Sequence, residues 1–404
     1  MTSPAGRWRH AQTASDQLWP ILRSEAITER PVPERHRLIF YLGHLEAFDW
    51  NLLAPVLDLE AFHPDWDKLF AFGIDPIDGA LPNEPASAWP GRAEVEEYGR
   101  TIRKRLASAV SRLGPDPELE VRLEVALEHR WMHIETLAYL IHNLAYELKH
   151  PPLLSEPDAE VPARPGYEIE VAAGAVTLGK NPGSGFGWDN EFNAQTVQVG
   201  GFAAGNRKVT NGEYLRFVEA GAAAPHFWER RNGAWWQRGM FRAVPLPLEW
   251  PVYVTHSEAS AYAAWAGRRL PSEAEWGRMA HTTPEGEERE YPWGGARPES
   301  AAGNFDLRRW DPVPTPSVAG AASAWGIEDL VGNGWEWTST VFGPLPGFQA
   351  FDFYPGYSAN FFDGQHFVLK GGSPRTAACL LRRTFRNWFQ PRYPYAYAGF
   401  RCVA

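Results

Sequence analysis

The chain has 404 residues, of which 44% are hydrophobic and 22% charged, and its formal net charge at pH 7 is −10. This length is too great for one compact core and predicts two domains, while the acidic balance argues against nucleic-acid binding by charge attraction. Two cysteines predict no disulfide framework, and no apolar run approaches the roughly 18 residues of a membrane-spanning helix. We therefore expect a soluble, cytoplasmic protein with no membrane or nucleic-acid partner; the oligomeric state is not predicted.

The first domain, residues 1–150, shows the periodicity of amphipathic helices. Proline and glycine clusters separate its apolar repeats, and residues 61–90 form a connection too long for a simple loop. The predicted helices are residues 12–29, residues 35–57, a segment that begins at residue 92, and residues 118–148. Four helices with one long connection predict a bundle, a scaffold that commonly holds metal ions between facing helices.

Histidines on two of these helices are candidate metal ligands. His129 and His133 are four residues apart, so both imidazoles project from one helix face. This is the spacing of metal-ligand pairs, although it also occurs on solvated helix faces. His44 lies among apolar residues of the second helix, where a lone histidine is commonly a packed core residue. Together the three imidazoles predict a site for Zn(II) or Fe(II), and residue type alone does not choose between these metals.

The remainder of the chain has a different composition. Five prolines between positions 151 and 165 predict a stiff, exposed linker. The second domain, residues 166–404, combines short β segments, such as 167–171 and 367–370, with helices and with loops rich in glycine, asparagine and tryptophan. The predicted fold class is therefore α+β in two domains.

Two helices are predicted in the second domain, at residues 211–220 and 257–266, followed by a short turn at 272–279. Ser257 is the predicted N-cap of the second helix. Ser272 and Glu275 have the spacing of a capping box, which predicts a helical start at this point.

Five motifs of the second domain resemble, in the same order, those of the formylglycine-generating-enzyme, or sulfatase-modifying-factor, domain. They are Val-Thr-Asn-Gly-Glu-Tyr at 209–214, Gly-Arg-Arg-Leu-Pro-Ser-Glu-Ala-Glu-Trp at 267–276, Gly-Asn-Gly-Trp-Glu-Trp-Thr at 332–338, Lys-Gly-Gly-Ser at 370–373 and Gly-Phe-Arg-Cys at 399–402. The resemblance implies a C-type-lectin-like fold. Oxidase members of that family carry a reactive cysteine pair after Gly-Gly-Ser, whereas Cys379 stands alone here. Formylglycine formation is therefore not expected.

The first domain resembles the DinB-like four-helix bundle through Gly43-His44 and the His129-x3-His133-x-Glu135 motif. In this order, the two domains resemble the non-haem iron sulfoxide synthases of ergothioneine and ovothiol biosynthesis and the related selenoneine synthases. Residues 186–191 and 386–388 are further matches. This resemblance covers essentially the whole chain and implies an O2-dependent, non-haem iron oxidoreductase.

The resemblance also implies cofactors and substrates. In this family Fe(II) is held by three histidines, which correspond here to His44, His129 and His133. The implied substrates are hercynine, O2 and a sulfur or selenium donor. A structural Ca(II) ion near Asn333, as in relatives, is a further expectation, although its ligands are not assigned.

Catalytic and substrate-binding residues are implied in the same way. Tyr354 and Tyr357, three residues apart, match the catalytic loop of the family, where the first tyrosine donates a proton that directs O2 toward C–S bond formation and the second contacts the imidazole. Asn387 and Trp388 match the positions that bind the betaine cation. Arg386 either contacts the substrate carboxylate or is a salt-bridged structural residue. The alternative for both tyrosines is a packing role in an aromatic-rich loop.

Three departures from the ergothioneine enzymes concern the substrates, and two of them concern the donor. Met132 stands where many of them have a glutamine that hydrogen-bonds the imidazole, and Phe389 stands where those using γ-glutamylcysteine have aspartate. Residues 69–91, which carry arginines in those enzymes, contain no lysine or arginine here. A dianionic γ-glutamyl donor is poorly matched by such a segment. Cysteine and a selenosugar are the remaining candidates, and we favour the selenosugar of the selenoneine synthases.

Other functions remain open from the sequence. An ergothioneine-type hercynine sulfoxide synthase using cysteine or γ-glutamylcysteine is the nearest alternative. A lectin-like domain joined to a metal-containing bundle without catalysis is an alternative of a different class. A DinB-like Zn(II) thiol transferase is another, and it would act without O2.

Overall fold

A computed structural model describes residues 3–71, 83–112, 116–151, 165–299, 302–318 and 320–404. The chain divides into two compact units, Met1–Ser155 and Glu156–Ala404. The first unit is helical and the second mixes helices with small sheets, which confirms the predicted two-domain α+β class. Most of the predicted linker, residues 151–165, lies outside the described residues. No helix in the described ranges combines the length and the hydropathy that a bilayer crossing requires.

The helical unit is built from one short and four longer helices in its described part. These are α1 Pro4–Asp16, α2 Leu38–Leu53, α3 Pro64–Leu69, α4 Arg92–Val110 and α5 Pro117–Asn143. Helix α2 packs against α4 and α5, and α1 packs against α5. The predicted second, third and fourth helices correspond to α2, α4 and α5.

The prediction of a first helix at residues 12–29 is wrong, because the helix begins and ends earlier. Ser3 caps α1 by accepting a hydrogen bond from the Gly6 amide, and Pro4 occupies the first turn, where its missing N–H costs nothing. Beyond α1, Pro20 cannot continue an α-helical ladder. The chain forms 3₁₀ turns at Trp19–Ile21 and Ser24–Thr28 instead.

Helix spacing explains how this core is filled. On α4, one buried side chain follows another at steps of three or four residues, as an amphipathic helix requires. These residues are Val95, Tyr98, Ile102 and Leu106. Helix α2 is buried on nearly all sides, so it forms the centre of the unit, and the polar groups that it carries must find partners inside.

The second unit contains several small sheets. Its strands are β1 Glu168–Val171, β2 Gly174–Leu178, β3 Gln195–Val199, β4 Phe202–Gly205, β5 Trp228–Arg231, β6 Ala234–Arg238, β7 Ala243–Pro245, β8 Trp335–Val341, β9 Phe367–Lys370, β10 Asn387–Phe389 and β11 Ala398–Gly399. The largest sheet has the order β10-β9-β8-β11, in which β9 is antiparallel to both neighbours and β11 is parallel to β8. The predicted strand at 367–370 is confirmed as β9.

Three helices accompany these sheets: α6 Asn211–Glu219, α7 His256–Trp265 and α8 Glu273–His281. The predicted N-cap Ser257 is wrong, since Thr255 caps α7 by accepting from the Glu258 amide while the Glu258 carboxylate accepts from the Thr255 amide. Ser257 is therefore the second residue of α7. The capping box at Ser272 is confirmed, and the segment after it is a full helix and not a short turn.

Candidate metal centre and active-site residues

The three predicted ligands come together in the helical unit. His44 lies on α2, and His129 and His133 lie one turn apart on α5. Each offers one ring nitrogen, and these nitrogens all lie within 4.8 Å of one another. All three imidazoles are buried. The packing of α2 against α5 therefore creates a compact set of three nitrogen donors.

His44 is oriented by a hydrogen bond at the back of its ring. Its Nδ1 lies 2.7 Å from the carbonyl oxygen of Phe70. Because a carbonyl only accepts, Nδ1 carries the proton and Nε2 presents its lone pair. The Phe70 ring packs above Gly43, where an added Cβ would come within 2.4 Å of it. Only glycine at position 43 allows this approach.

His129 and His133 are held differently. Their Nδ1 atoms are buried and have no hydrogen-bond partner, whereas metal-binding histidines usually donate their second nitrogen to a neighbour. The ring of His129 stacks instead on Phe48 of α2, with centroids 3.4 Å apart and planes 8° apart. The ring of Tyr41 lies 5.9 Å from that of His133. Aromatic packing, and not hydrogen bonding, orients these two imidazoles.

The electrostatic environment keeps all three rings neutral near pH 7. Burial lowers the pKa of His44 to about 4, although the hydrogen bond to Phe70 opposes this shift. Burial, together with the neighbouring imidazoles, lowers the pKa values of His129 and His133 well below the ordinary value. Neutral imidazoles are the form that binds a metal. Three buried neutral nitrogen donors fit Fe(II) and also Zn(II).

A buried ion network joins the two ligand-bearing helices. Arg130, adjacent to His129 on α5, is fully buried. Its guanidinium donates to Glu46 at 2.9 Å, to Asp49 at 2.6 Å and to the carbonyl of Leu45 at 2.8 Å, all on α2. Because α2 carries His44 beside these acceptors, the network fixes the two helices that supply the ligands.

In the second unit, the structure brings together three of the predicted aromatic residues. The rings of Tyr354 and Tyr357 lie 5.6 Å apart. Tyr357 is buried and meets Trp388 edge to face at 5.4 Å. Trp388 also stacks on Phe342, with centroids 4.2 Å apart. The predicted catalytic loop and the predicted betaine-binding strand are therefore in contact within this unit.

Strand geometry separates the neighbours of Trp388. Asn387, Trp388 and Phe389 form β10, where successive side chains point to opposite faces. Phe389 stacks on Tyr393 at 5.1 Å, whereas Trp388 contacts Tyr357. Asn387, whose Oδ1 accepts from the Trp388 amide at 2.9 Å, shares the face of Phe389.

Arg386 is held in a buried ion pair. Its Nε lies 2.9 Å and its Nη2 3.0 Å from the Glu273 carboxylate, and its Nη1 donates to the carbonyl of Gly343 at 2.9 Å. Only 4% of the residue is exposed. These contacts favour the structural alternative over a contact with a substrate carboxylate.

Met132 and Asn333 complete the predicted set. Met132 lies on α5 between the two histidines and is half-buried. The Oδ1 of Asn333 accepts from Asn304 at 3.0 Å and from the Val313 amide at 2.9 Å, so protein donors already use this oxygen. The calcium site near Asn333 stays a prediction.

Two features that position the ligands were not predicted from the sequence. The Phe70 acceptor is a backbone atom in an irregular segment, so no residue pattern reports it. Phe48 is different, because it lies four residues after His44 on the same helix. Helical spacing indicates that it shares the His44 face, and an aromatic ring beside a ligand was a readable signal.

Comparison with known proteins identifies the family. The model of the sulfatase-modifying factor enzyme 1-like domain matches residues 155–404. The chain is 35% identical to a hercynine oxygenase of Mycolicibacterium thermoresistibile over 342 residues, 76% of this chain and 74% of the relative. It is 34% identical to a hercynine oxygenase of Mycolicibacterium smegmatis over 346 residues, 76% of this chain and 77% of that protein.

A fungal relative extends the similarity. Ergothioneine biosynthesis protein 1 of Neurospora crassa is 28% identical over an alignment of 491 residues, which spans 95% of this chain and 55% of the relative. The similarity therefore includes both units, and the bacterial relatives are covered over most of their length. This chain carries a sulfatase-modifying factor enzyme 1-like domain and belongs to the hercynine oxygenase family of oxidoreductase enzymes.

Proposed function

We propose that this protein catalyses O2-dependent formation of a carbon–selenium or carbon–sulfur bond between hercynine and a selenol or thiol donor. The observation that carries this proposal is the convergence of three buried, neutral imidazoles in a chain of the hercynine oxygenase family. The names of the relatives support hercynine as the organic substrate and an ergothioneine-type product.

His44, His129 and His133 are the proposed Fe(II) ligands, and Fe(II), when bound, supplies the O2-activating chemistry. Three protein ligands suit this function, because a catalytic site keeps positions for substrates whereas a structural site is closed by a fourth ligand. All three side chains are buried, which favours the neutral imidazole that a metal binds. Because the rings are already neutral, no proton has to leave them before a metal binds at neutral pH.

Residues of the second unit are proposed to hold hercynine and to control protons. The ring face of Trp388 that is not stacked on Phe342 is the proposed π surface for the trimethylammonium group. Asn387, on the opposite face of β10, is a neutral sequence neighbour that adds no charge. Tyr354 is the proposed proton donor, and Tyr357 the contact for the imidazole. A phenol suits proton donation in a poorly hydrated site, because its acid form is neutral and brings no charge there.

The reaction balances without a further reductant. One imidazole C–H bond and one Se–H or S–H bond break, the carbon–chalcogen bond forms, and the chalcogen gains one oxygen. These changes release four electrons. O2 accepts all four and supplies the oxygen atom of the selenoxide or sulfoxide, and its second atom leaves as water with the two hydrogens.

The proposed donor is a selenosugar. Residues 69–91 offer no cationic side chain to a dianionic donor, and residues 72–82 of this segment lie outside the described residues. Glu84, which is described, is paired with Arg30 at 3.4 Å, so its charge is already compensated, and the missing cations of the segment are what disfavour a dianionic donor. Phe389 also replaces the aspartate of the enzymes that use γ-glutamylcysteine, which supports a different donor.

A donor competition tests this proposal. Protein reconstituted anaerobically with Fe(II) receives hercynine and one donor at a time, namely a 1-selenosugar, cysteine or γ-glutamylcysteine, and then O2. Products are identified by mass spectrometry. We expect the selenosugar to be coupled with the highest kcat/KM. Faster coupling of γ-glutamylcysteine or cysteine would refute the donor assignment and leave an ergothioneine-type synthase.

The same experiment separates other classes of function. Bound Fe(II) without O2 uptake, in the presence of hercynine and every donor, would identify a metal-containing binding module. Zn(II) in metal analysis, with thiol transfer that needs no O2, would identify a DinB-like transferase.

A further inference from the structure

The loop that carries Tyr354 and Tyr357 is anchored by a buried segment far away in sequence. Ser358, directly after Tyr357, donates its hydroxyl proton to the Asp189 carboxylate. The same hydroxyl accepts from the side-chain amide of Asn190 at 2.9 Å. Asp189, Asn190 and Ser358 are at most 1% exposed. The end of the tyrosine loop is therefore joined to residues 189–190 by a short hydrogen-bond chain.

Trp188 adds an aromatic contact to this anchor. Its ring stacks on Tyr357, with centroids 3.8 Å apart and planes 21° apart. It also lies 6.4 Å from the ring of Tyr354, roughly edge to face. Trp188 is fully buried, so its position is set by the domain core. Because the indole is fixed in the domain core, its contacts restrain the positions of both tyrosine rings.

Burial of the Asp189 carboxyl group at this position is energetically unfavourable. Burial raises its pKa to about 6, although the Ser358 hydroxyl and the backbone amides of Asn190 and Phe351 act in the opposite direction. Its Oδ2 and the Oδ1 of Asn190 are buried without a hydrogen-bond partner. A buried acceptor without a hydrogen-bond partner destabilises the folded state. Stability alone does not explain these groups, and unsatisfied polar groups concentrate at functional sites.

We propose that Trp188, Asp189 and Ser358 are positioning residues that hold Tyr354 and Tyr357 for the reaction and so direct O2 into bond formation instead of donor oxidation. This inference rests on the proposed function. The competing reaction is R–SH + O2 → R–SO2H, or its selenium counterpart, which consumes O2 without hercynine. A proton donor displaced by even 1 Å from its productive position loses much of its effect.

Irregular backbone makes such an anchor necessary. Residues 351–358 form turns, in which the Tyr354 amide donates to the Phe351 carbonyl at 3.0 Å and the Tyr357 amide to the Tyr354 carbonyl at 3.3 Å. These local bonds shape the loop but do not attach it to the domain. Ring stacking on Trp188 and the Ser358–Asp189 bond provide that attachment, because both partners lie outside the loop.

The test compares S358A, D189A and D189N with the Fe(II)-loaded wild-type protein. S358A removes the hydroxyl that bridges Asn190 and Asp189. D189N keeps an oxygen that accepts from Ser358, so it should retain more function than D189A. S317A is the matched control, since Ser317 also donates its hydroxyl to a buried aspartate, Asp329, at 2.5 Å in another part of this unit.

The readout is the ratio of oxidised donor, as sulfinate or seleninate, to coupled product at equal O2 consumption. We expect this ratio to rise about tenfold in S358A and D189A, less than the roughly hundredfold effect of a 1 Å misplacement. It should rise less in D189N and stay at the wild-type value in S317A. Fe(II) stoichiometry should stay at the wild-type value in all four variants.

An unchanged ratio in S358A and D189A, or the same rise in S317A, would overturn the positioning role. If D189A does not fold, S358A alone decides, because it removes only one oxygen. The wild-type protein distinguishes a failure of the proposed function from a failure of the positioning role. If the wild type couples no donor to hercynine, the proposed function fails; if it couples and the ratio does not move, only the anchor fails.

Discussion

At the scale of single residues, the proposed metal centre depends on histidines that are neutral because they are buried. Their donor nitrogens lie within 4.8 Å of one another, so protonation of one ring would place a charge beside its neighbours in a buried site. Desolvation is the largest cause of the lowered pKa at each of the three positions. The same cause links the site to protein stability, since the unfolded chain binds protons that the folded site excludes.

We predict that the metal-free protein loses stability in acid. A histidine whose folded pKa is lowered contributes full stability above its unfolded pKa of about 6.5, and this contribution falls as the pH drops toward the folded value. For His44, with a folded pKa of about 4, the change from pH 7 to pH 5 should cost about 2 kcal/mol. Urea denaturation of wild type and H44L at both pH values isolates this term. An equal pH dependence in the two proteins would contradict it.

Metal binding should depend on each ligand. We expect H133A to bind Fe(II) more than about a hundredfold more weakly than wild type, because even changes to groups behind the ligands cost about 10–100-fold. H150A is the matched control, since His150 is an exposed histidine of the same unit. Anaerobic titration with metal analysis measures both variants. Stoichiometric Fe(II) in H133A would exclude His133 as a ligand.

How far the site could be predicted differs from residue to residue. The spacing of His129 and His133 predicts a shared helix face, and this is what the structure has. His44 could not be assigned from spacing, because its partners belong to another helix. Its place on a second helix of the predicted bundle made it a candidate, and the family resemblance assigned it. The hydrogen bond from His44 to the Phe70 carbonyl could not be predicted, because every residue type has a backbone carbonyl. Arg386 shows another limit: its residue type left a substrate contact and a structural ion pair equally open, and the structure pairs its guanidinium with Glu273.

At the scale of elements, α2 and α5 are fastened together by a charged group in an otherwise apolar interior. Arg130 supplies the cation, while Glu46 and Asp49 supply the anions. Replacing a whole buried ion pair by apolar groups can be neutral, but removing one partner leaves an uncompensated charge. The network therefore makes the relative position of the two ligand-bearing helices sensitive to one residue.

We predict that R130M destabilises the protein by about 3–5 kcal/mol, the cost of leaving the buried Asp49 carboxylate without its ion-pair partner, whereas Glu46 keeps its ion pair with Arg103. R100M is the control, because Arg100 forms an ion pair with Glu97 in which the two side chains are 62% and 67% exposed; such pairs contribute about 0–1 kcal/mol. Thermal or urea unfolding measures the difference. Similar losses in R130M and R100M would mean that the buried network does not hold the helices.

The elements also show which signals can be read from sequence. Apolar repeats predict α2, α4 and α5, because each buries a continuous face. The first helix was misplaced since the weak repeat at residues 12–29 runs across Pro20, and the capping pair Ser3–Pro4 decides the start. Thr255 and Ser257 present the same difficulty: both are good caps, and only the reciprocal bond with Glu258 distinguishes them.

At the scale of the whole molecule, the chain divides its proposed tasks between two units. The three histidines belong to Met1–Ser155, whereas Tyr354, Tyr357 and Trp388 belong to Glu156–Ala404. The family relationship extends over both units, with 95% of the chain aligned to the fungal relative. We therefore propose that the first unit binds the metal and that the second controls protons and recognises the cation.

Product analysis with labelled hercynine tests the central claim most directly. Fe(II)-loaded protein receives hercynine deuterated on its imidazole carbons, a donor that the protein accepts, and O2. We predict a product that has lost one deuterium and gained the donor and one oxygen atom, with O2 consumed only when both substrates are present. Recovery of fully deuterated hercynine after O2 has been consumed, or without any O2 uptake, would contradict the assignment of this chain as a bond-forming oxygenase.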